Sequence, residues 1–81
     1  MKIFYTEEFE KDIKGIKEES EKVRLKKTIE KIIQNPEIGK PLRYKLAGLR
    51  SVRISSSRII YKVEGERIIL LKFGHRRNIY R

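Results

Sequence analysis

The chain of 81 residues contains no cysteine, which excludes both a disulfide framework and a thiolate metal site. It has a single histidine, too few nitrogen ligands for a structural zinc site once thiolates are gone. Long apolar runs are missing as well. The longest is four residues, Ile68 to Leu71, far short of the ~20 that a helix needs to span a bilayer. The opening MKIFYTEEF has no apolar signal core and turns acidic at once, so the expectation is a cytoplasmic protein without a membrane segment. Acidic residues are scarce in one half only. Residues 1–39 carry nine Lys/Arg and nine Asp/Glu, whereas residues 40–81 carry twelve and two, so the whole net charge of +10 belongs to the C-terminal half. An excess confined to one half, and made mainly of arginine, suggests a face for an anionic partner, because guanidinium groups suit bidentate phosphate contacts. A plainly solvated basic surface is the alternative.

What is present is periodic. The length predicts one domain over residues 1–81, with a thin core that buries about 60–65% of the unfolded chain's surface. MKIFY reads as a short strand with Ile3 and Tyr5 on one face. Thr6 followed by Glu7 and Glu8 is a helix start, although Phe9 stands where a reciprocal capping box would have Glu. Phe9, Ile13 and Ile16 then recur at helical spacing, with Gly15 weakening the end. A second helix is predicted from about Glu19 to Gln34. Val23, Ile29, Ile32 and Ile33 form its apolar face with Leu25 nearby, and Lys22, Lys26, Lys27 and Lys31 face water. Asn35-Pro36 ends it, since a residue before proline avoids the α region. Residues 37–49 read as a connector whose Leu42, Leu46 and Leu49 tuck under a sheet. SVRIS alternates as a strand, Ser55-Ser56-Ser57 is a tight connection, RIIYKV is a strand, Glu64-Gly65-Glu66 is a hairpin turn and RIILLKF returns. The order β-α-α-β-β-β predicts an α+β fold: two antiparallel helices on one face of a curved, mostly antiparallel sheet.

The chain ends in GHRRNIYR, which is either a solvated tail or part of a phosphate-binding site. A first helix carrying Phe9, the Asn-Pro break, the stretches GKPL and LAGLRSVRI, then SRIIYKV and GHRRNIY together resemble the RelE/ParE superfamily of bacterial and archaeal toxins, most nearly the RelE branch. The resemblance covers nearly the whole chain in the same order of elements. It implies a ribosome-dependent endoribonuclease that cuts mRNA in the ribosomal A site by attack of the substrate's own 2′-hydroxyl, with no metal or other cofactor. It also implies a cognate acidic antitoxin of the RelB kind, with the toxin monomeric alone and in a hetero-oligomer with its antitoxin. The superfamily includes gyrase-poisoning toxins on the same fold. A ParE-like gyrase inhibitor, a basic RNA-binding module without catalysis and an inactive homologue are therefore the rival expectations.

Carried over residue by residue, the resemblance assigns Arg58 to phosphate and transition-state stabilisation, with a surface arginine at a strand start as the alternative. Arg76, in the terminal G-x-R motif, is expected to stabilise charge, because an arginine is a poor literal acid. Tyr80 could stack on a splayed base, hydrogen-bond near the attacking oxygen, or merely cap the sheet edge. His75 is the only side chain whose ordinary titration lies near neutrality. Beside Arg76 and Arg77 in the expected site, its imidazole is the candidate general base; a structural histidine is the alternative. Arg53 stands where the family often has one lysine and Ser51 where a second is common, and a serine cannot supply that charge. Lys45, Arg50, Arg53, Arg77 and Arg81, with Arg43, are expected to hold RNA or ribosome backbone, or simply to be solvated.

Overall fold

The structure, a computed structural model, describes residues 1–75. Its elements run β1 (Lys2–Tyr5), α1 (Glu7–Lys14), α2 (Glu19–Gln34), β2 (Lys40–Pro41), a 3-10 turn (Tyr44–Leu46), β3 (Arg50–Ile54), β4 (Ser57–Glu64) and β5 (Arg67–His75). The strands form one five-stranded sheet in the order β1-β5-β4-β3-β2. Only β1 against β5 is parallel; the other neighbours are antiparallel. Two helices against one face of a mostly antiparallel sheet is the α+β architecture expected from the order of elements. The short β2 is an addition within the expected connector. It pairs Lys40 with Ser51 and Pro41 with Arg50. Pro41 has no N–H to give to a ladder, and an edge strand is where a sheet tolerates it.

Helix α1 begins because Thr6 stays extended (φ −74, ψ 161) and its hydroxyl accepts the Phe9 N–H at 3.1 Å. The helix stops at Lys14, so Ile16 reaches the core from the following turn, where it is buried. The core holds Phe9, Leu25, Ile32, Ile54, Ile59, Tyr61, Ile68, Leu70 and Phe73, with Ile29 and Val52 packed against it. The apolar face of α2 differs from the one expected. Leu25 is central and buried, while Val23 is 49% and Ile33 37% exposed. A single helix face can present Leu25, Ile29 and Ile32 to the sheet, at spacings of four and three; Ile33 falls on its flank and Val23 nearly on the opposite side.

The register fixes which side chains share a face. Residues paired across strands point the same way. Val52, Ile59 and Phe73 make one row, and Val63, Ile68 and Ile3 make another, both toward the helices. Phe73 and Leu70 are an odd number of residues apart, yet both reach the core. The ladder shift between Ile60 and Tyr61 makes this possible: Ile60 faces Lys72 while Tyr61 faces Leu70, so Leu71 is the extra residue of a bulge. Helix α1 covers the edge of β5 that β1 leaves open there. The Thr6 hydroxyl donates to the Leu71 carbonyl at 2.9 Å, and the Asp12 carboxylate accepts the Phe73 N–H at 2.9 Å. These bonds satisfy backbone groups that a bulge would otherwise strand.

Candidate active site

Two-residue turns at both ends of β4 set the geometry. Ile54 pairs with Ser57 across Ser55-Ser56, and Glu64 pairs with Arg67 across Gly65-Glu66. The favoured two-residue hairpin turns need φ > 0 at their first residue. Gly65 supplies this at φ 58, and Ser55 adopts φ 55 despite its Cβ. With the first turn fixed, Arg53 lies directly opposite Arg58, and Arg58 opposite Gly74. One transverse row therefore carries two guanidinium groups, on the sheet face away from the helices. The next row pairs Ser57 with His75, on the opposite face by strand alternation, so His75 borders the arginine row from the end of the sheet. Arg53, Arg58 and His75 line one shallow cavity of about 280 Å³ together with Ser55, Ser56 and Ser57.

Arg58 is half-buried, and its Nη1 donates to Ser51 Oγ at 3.4 Å, a long bond. Ser51 is itself 4% exposed. The position expected to lose a charge thus holds a small buried hydroxyl beside the arginine. A lysine there would place a second buried cation against Arg58, whereas serine accepts from it. This use of Ser51 was not read from the sequence. It follows from the register: once Arg53 faces Arg58, Ser51 lies two residues along the same face of β3.

The other expected site residues are distributed differently. Arg50 lies toward the opposite end of β3, where its Nη1 donates to the carbonyls of Glu37 (3.1 Å) and Gly39 (2.8 Å). It lines a separate cavity of about 510 Å³ with Asn35, Pro36, Pro41 and Leu49. That guanidinium fastens the β2 loop to the sheet. Beside it, the buried Tyr61 hydroxyl donates to the Pro36 carbonyl at 2.7 Å and accepts the Gly39 N–H at 2.9 Å. Burial pushes the Tyr61 phenol upward, opposed by the Gly39 bond and the charge of Arg50. Gly39 permits the approach, since a Cβ there would lie 2.6 Å from the Tyr61 hydroxyl and 3.0 Å from Arg50 Cβ. Lys45 is exposed in the 3-10 turn, near Arg43. Arg76, Arg77, Tyr80 and Arg81 lie outside the described residues. Among the described residues no cluster of His, Asp or Glu could hold a metal ion, and no helix is long and apolar enough to cross a membrane.

By class, the chain is a small α+β domain with a row of two arginines on the sheet face away from the helices. Comparison with known proteins makes that specific. The family model described as the ParE toxin of type II toxin-antitoxin system, parDE, matches residues 3–80, and the chain belongs to this family, within the RelE/ParE superfamily of type II toxins. It is similar to Toxin RelG of Mycobacterium tuberculosis, 41% identical over 46 residues that cover 54% of this chain and 53% of RelG. The match thus spans about half of that curated relative. Among solved structures, the toxin-antitoxin complex RelBE2 from M. tuberculosis is similar with a TM-score of 0.73 and 26% identity, over 93% of this chain and 96% of that one. YafQ from E. coli strain BL21(DE3) shares the fold at a TM-score of 0.80 and 23% identity, over 98% and 97% of the two chains.

Proposed function

We propose that this toxin is a metal-independent endoribonuclease that cuts mRNA in the ribosomal A site and is neutralised by a cognate acidic antitoxin. The observation that carries the reading is that Arg53, Arg58 and His75 all line one cavity. RNA contains its own nucleophile, so the reaction has three tasks: remove the 2′-hydroxyl proton, stabilise the phosphorane and protonate the departing 5′-oxygen. His75 is the base for the first. The 2′-oxygen then bonds to phosphorus as the P–O5′ bond breaks, giving a 2′,3′-cyclic phosphate, and the departing 5′-oxygen takes a proton from solvent water to leave as a 5′-hydroxyl. Arg58, steadied by Ser51, meets the non-bridging oxygens as their charge grows, and Arg53 opposite it adds a second cation. Fixed cationic donors of this kind are worth roughly 10²–10³ in rate each. Arg76, which follows His75 in the chain, takes part of the same charge, and Tyr80 stacks on an exposed base.

An antitoxin site is supported by a groove between the helices, about 470 Å³, lined by Ile13, Leu25, Ile29 and Ile33 together with Lys22, Lys26, Glu10 and Glu30. An amphipathic segment with an apolar stripe fits such a surface; the acidic character proposed for the antitoxin rests on the basic C-terminal half of the chain. RelBE2, of similar fold, is a toxin-antitoxin complex, which supports an antitoxin as a partner; a basic antitoxin would contradict the reading.

A second reading, a gyrase-directed toxin, is favoured by the match to the ParE model. One experiment separates the two. Purified toxin is added to translating ribosomes with a defined mRNA, and cuts are mapped by primer extension, with DNA supercoiling by gyrase assayed in parallel. A-site cuts with supercoiling intact are expected. Intact mRNA with supercoiling blocked would transfer the assignment to gyrase.

A further inference from the structure

The turn between β2 and β3 presents an aromatic ring in an unusual way. Tyr44 is 92% exposed and is held at φ 59, a left-handed conformation that is costly for a residue with a Cβ and rare for a bulky one. The turn is not loose. Leu42 N–H donates to the Leu49 carbonyl at 2.9 Å, Leu46 to Arg43 at 3.1 Å, Ala47 to Tyr44 at 3.0 Å and Leu49 to Leu46 at 3.1 Å. Leu42, Leu46 and Leu49 are half-buried. The leucines are partly covered, and the one aromatic residue of the turn is almost fully exposed. Two cations, Arg43 and Lys45, flank it, and both belong to the half of the chain that carries the whole net charge.

An exposed ring between two cations is the chemistry that holds an unpaired nucleobase: the ring stacks on the base while the cations meet adjacent phosphates. We propose that Arg43, Tyr44 and Lys45 form a base-stacking contact for the single-stranded RNA substrate, separate from the Arg58 cavity. The proposal rests on the reading of the protein as an RNA-cutting toxin. The turn joins β3 at Arg50, three residues before Arg53, about 10 Å along a strand. The stacked base therefore lies at least a nucleotide away from the scissile phosphate, and the contact positions the strand rather than reacting with it.

The test uses the whole protein and a fluorescein-labelled, unstructured 12-nucleotide RNA, with affinity followed by anisotropy over a salt series. Tyr44→Ala is expected to weaken binding about 5- to 150-fold, the worth of one stacked base. The slope of log affinity against log salt should not change, because stacking releases no counterions. Tyr44→Phe should bind within about twofold of wild type, since the ring face remains. Lys45→Gln should instead lower the slope by about 0.7, the value of one phosphate contact on a single strand. Tyr44→Ala with wild-type affinity overturns the inference while leaving the nuclease reading standing. So does Tyr44→Phe as weak as Tyr44→Ala, or a loss confined to antitoxin binding, which would make the turn a protein contact. A wild-type protein with no affinity for the probe at any salt overturns the inference, while the ribosome-dependent cleavage is judged separately by the primer-extension assay.

Discussion

Tyr61→Phe tests the physical account of the β2 loop. Tyr61 is fully buried, and the substitution removes only its hydroxyl. Two bonds go with it: the donation to Pro36 at 2.7 Å and the acceptance from the buried Gly39 N–H at 2.9 Å. A buried group left unsatisfied costs about 1–3 kcal/mol, and an ordinary hydrogen bond contributes about 1. The Pro36 carbonyl is only half-buried and regains water, so the expected loss is about 2–4 kcal/mol. A domain of this size has roughly 4–12 kcal/mol in all, and each kilocalorie moves its midpoint by about 4–8 °C. Thermal unfolding by circular dichroism should therefore show a fall of roughly 10–30 °C. A fall under about 4 °C would refute the reasoning, because it would mean that water replaces both partners at no cost. The pH dependence gives a second check. Burial raises the folded-state phenol above its ordinary value of 10.0, so the unfolded chain loses this proton first. The contribution is fully present below pH 10 and is lost as pH rises through the folded-state value. Comparing wild type with Tyr61→Phe isolates it: only the wild type should show this extra loss of stability above pH 10.

Three further outcomes are expected. Gly39→Ala, whose Cβ would meet Tyr61 Cε1 at 2.7 Å and Arg50 Cβ at 3.0 Å, should destabilise by about 1–3 kcal/mol through overpacking, measured as a lower urea midpoint at unchanged slope. Thr6→Ala removes an N-cap and the bond to the bulged Leu71 carbonyl, and a chemical-denaturation loss of about 1–3 kcal/mol should result. Mass spectrometry of the upstream RNA fragment should find a 2′,3′-cyclic phosphate or its hydrolysis product; a free 3′-hydroxyl would rule out attack by the 2′-oxygen.

Much of the fold is legible in local chemistry. Thr6 before two glutamates starts a helix, Asn35-Pro36 ends one, and Gly65 marks a hairpin, because each acts through backbone terms that need no partner. What is not legible depends on register. Reading Ser55, Ser56 and Ser57 as one connection leaves β3 and β4 unaligned; a two-residue turn places Arg53 against Arg58 and Ser51 beside it. The bulge at Leu71 is likewise invisible in RIILLKF, since it is imposed by the packing of Phe73 and Leu70 and by Thr6 and Asp12 from α1. Val23 and Ile33 looked like core because apolar residues surround the helix more widely than the sheet can cover. Arg50 read as one more basic residue, and only the folded loop shows two carbonyls on its guanidinium.

The central claim is that the Arg58 cavity cuts mRNA on the ribosome, and single-turnover cleavage of mRNA in programmed ribosomes tests it most directly, with wild type and Arg58→Ala side by side at matched melting temperatures. The account predicts a cut in the A-site codon by the wild type and a rate roughly 10²–10³ lower for Arg58→Ala. A cut made equally fast by Arg58→Ala, or no cut by the folded wild type, would contradict it.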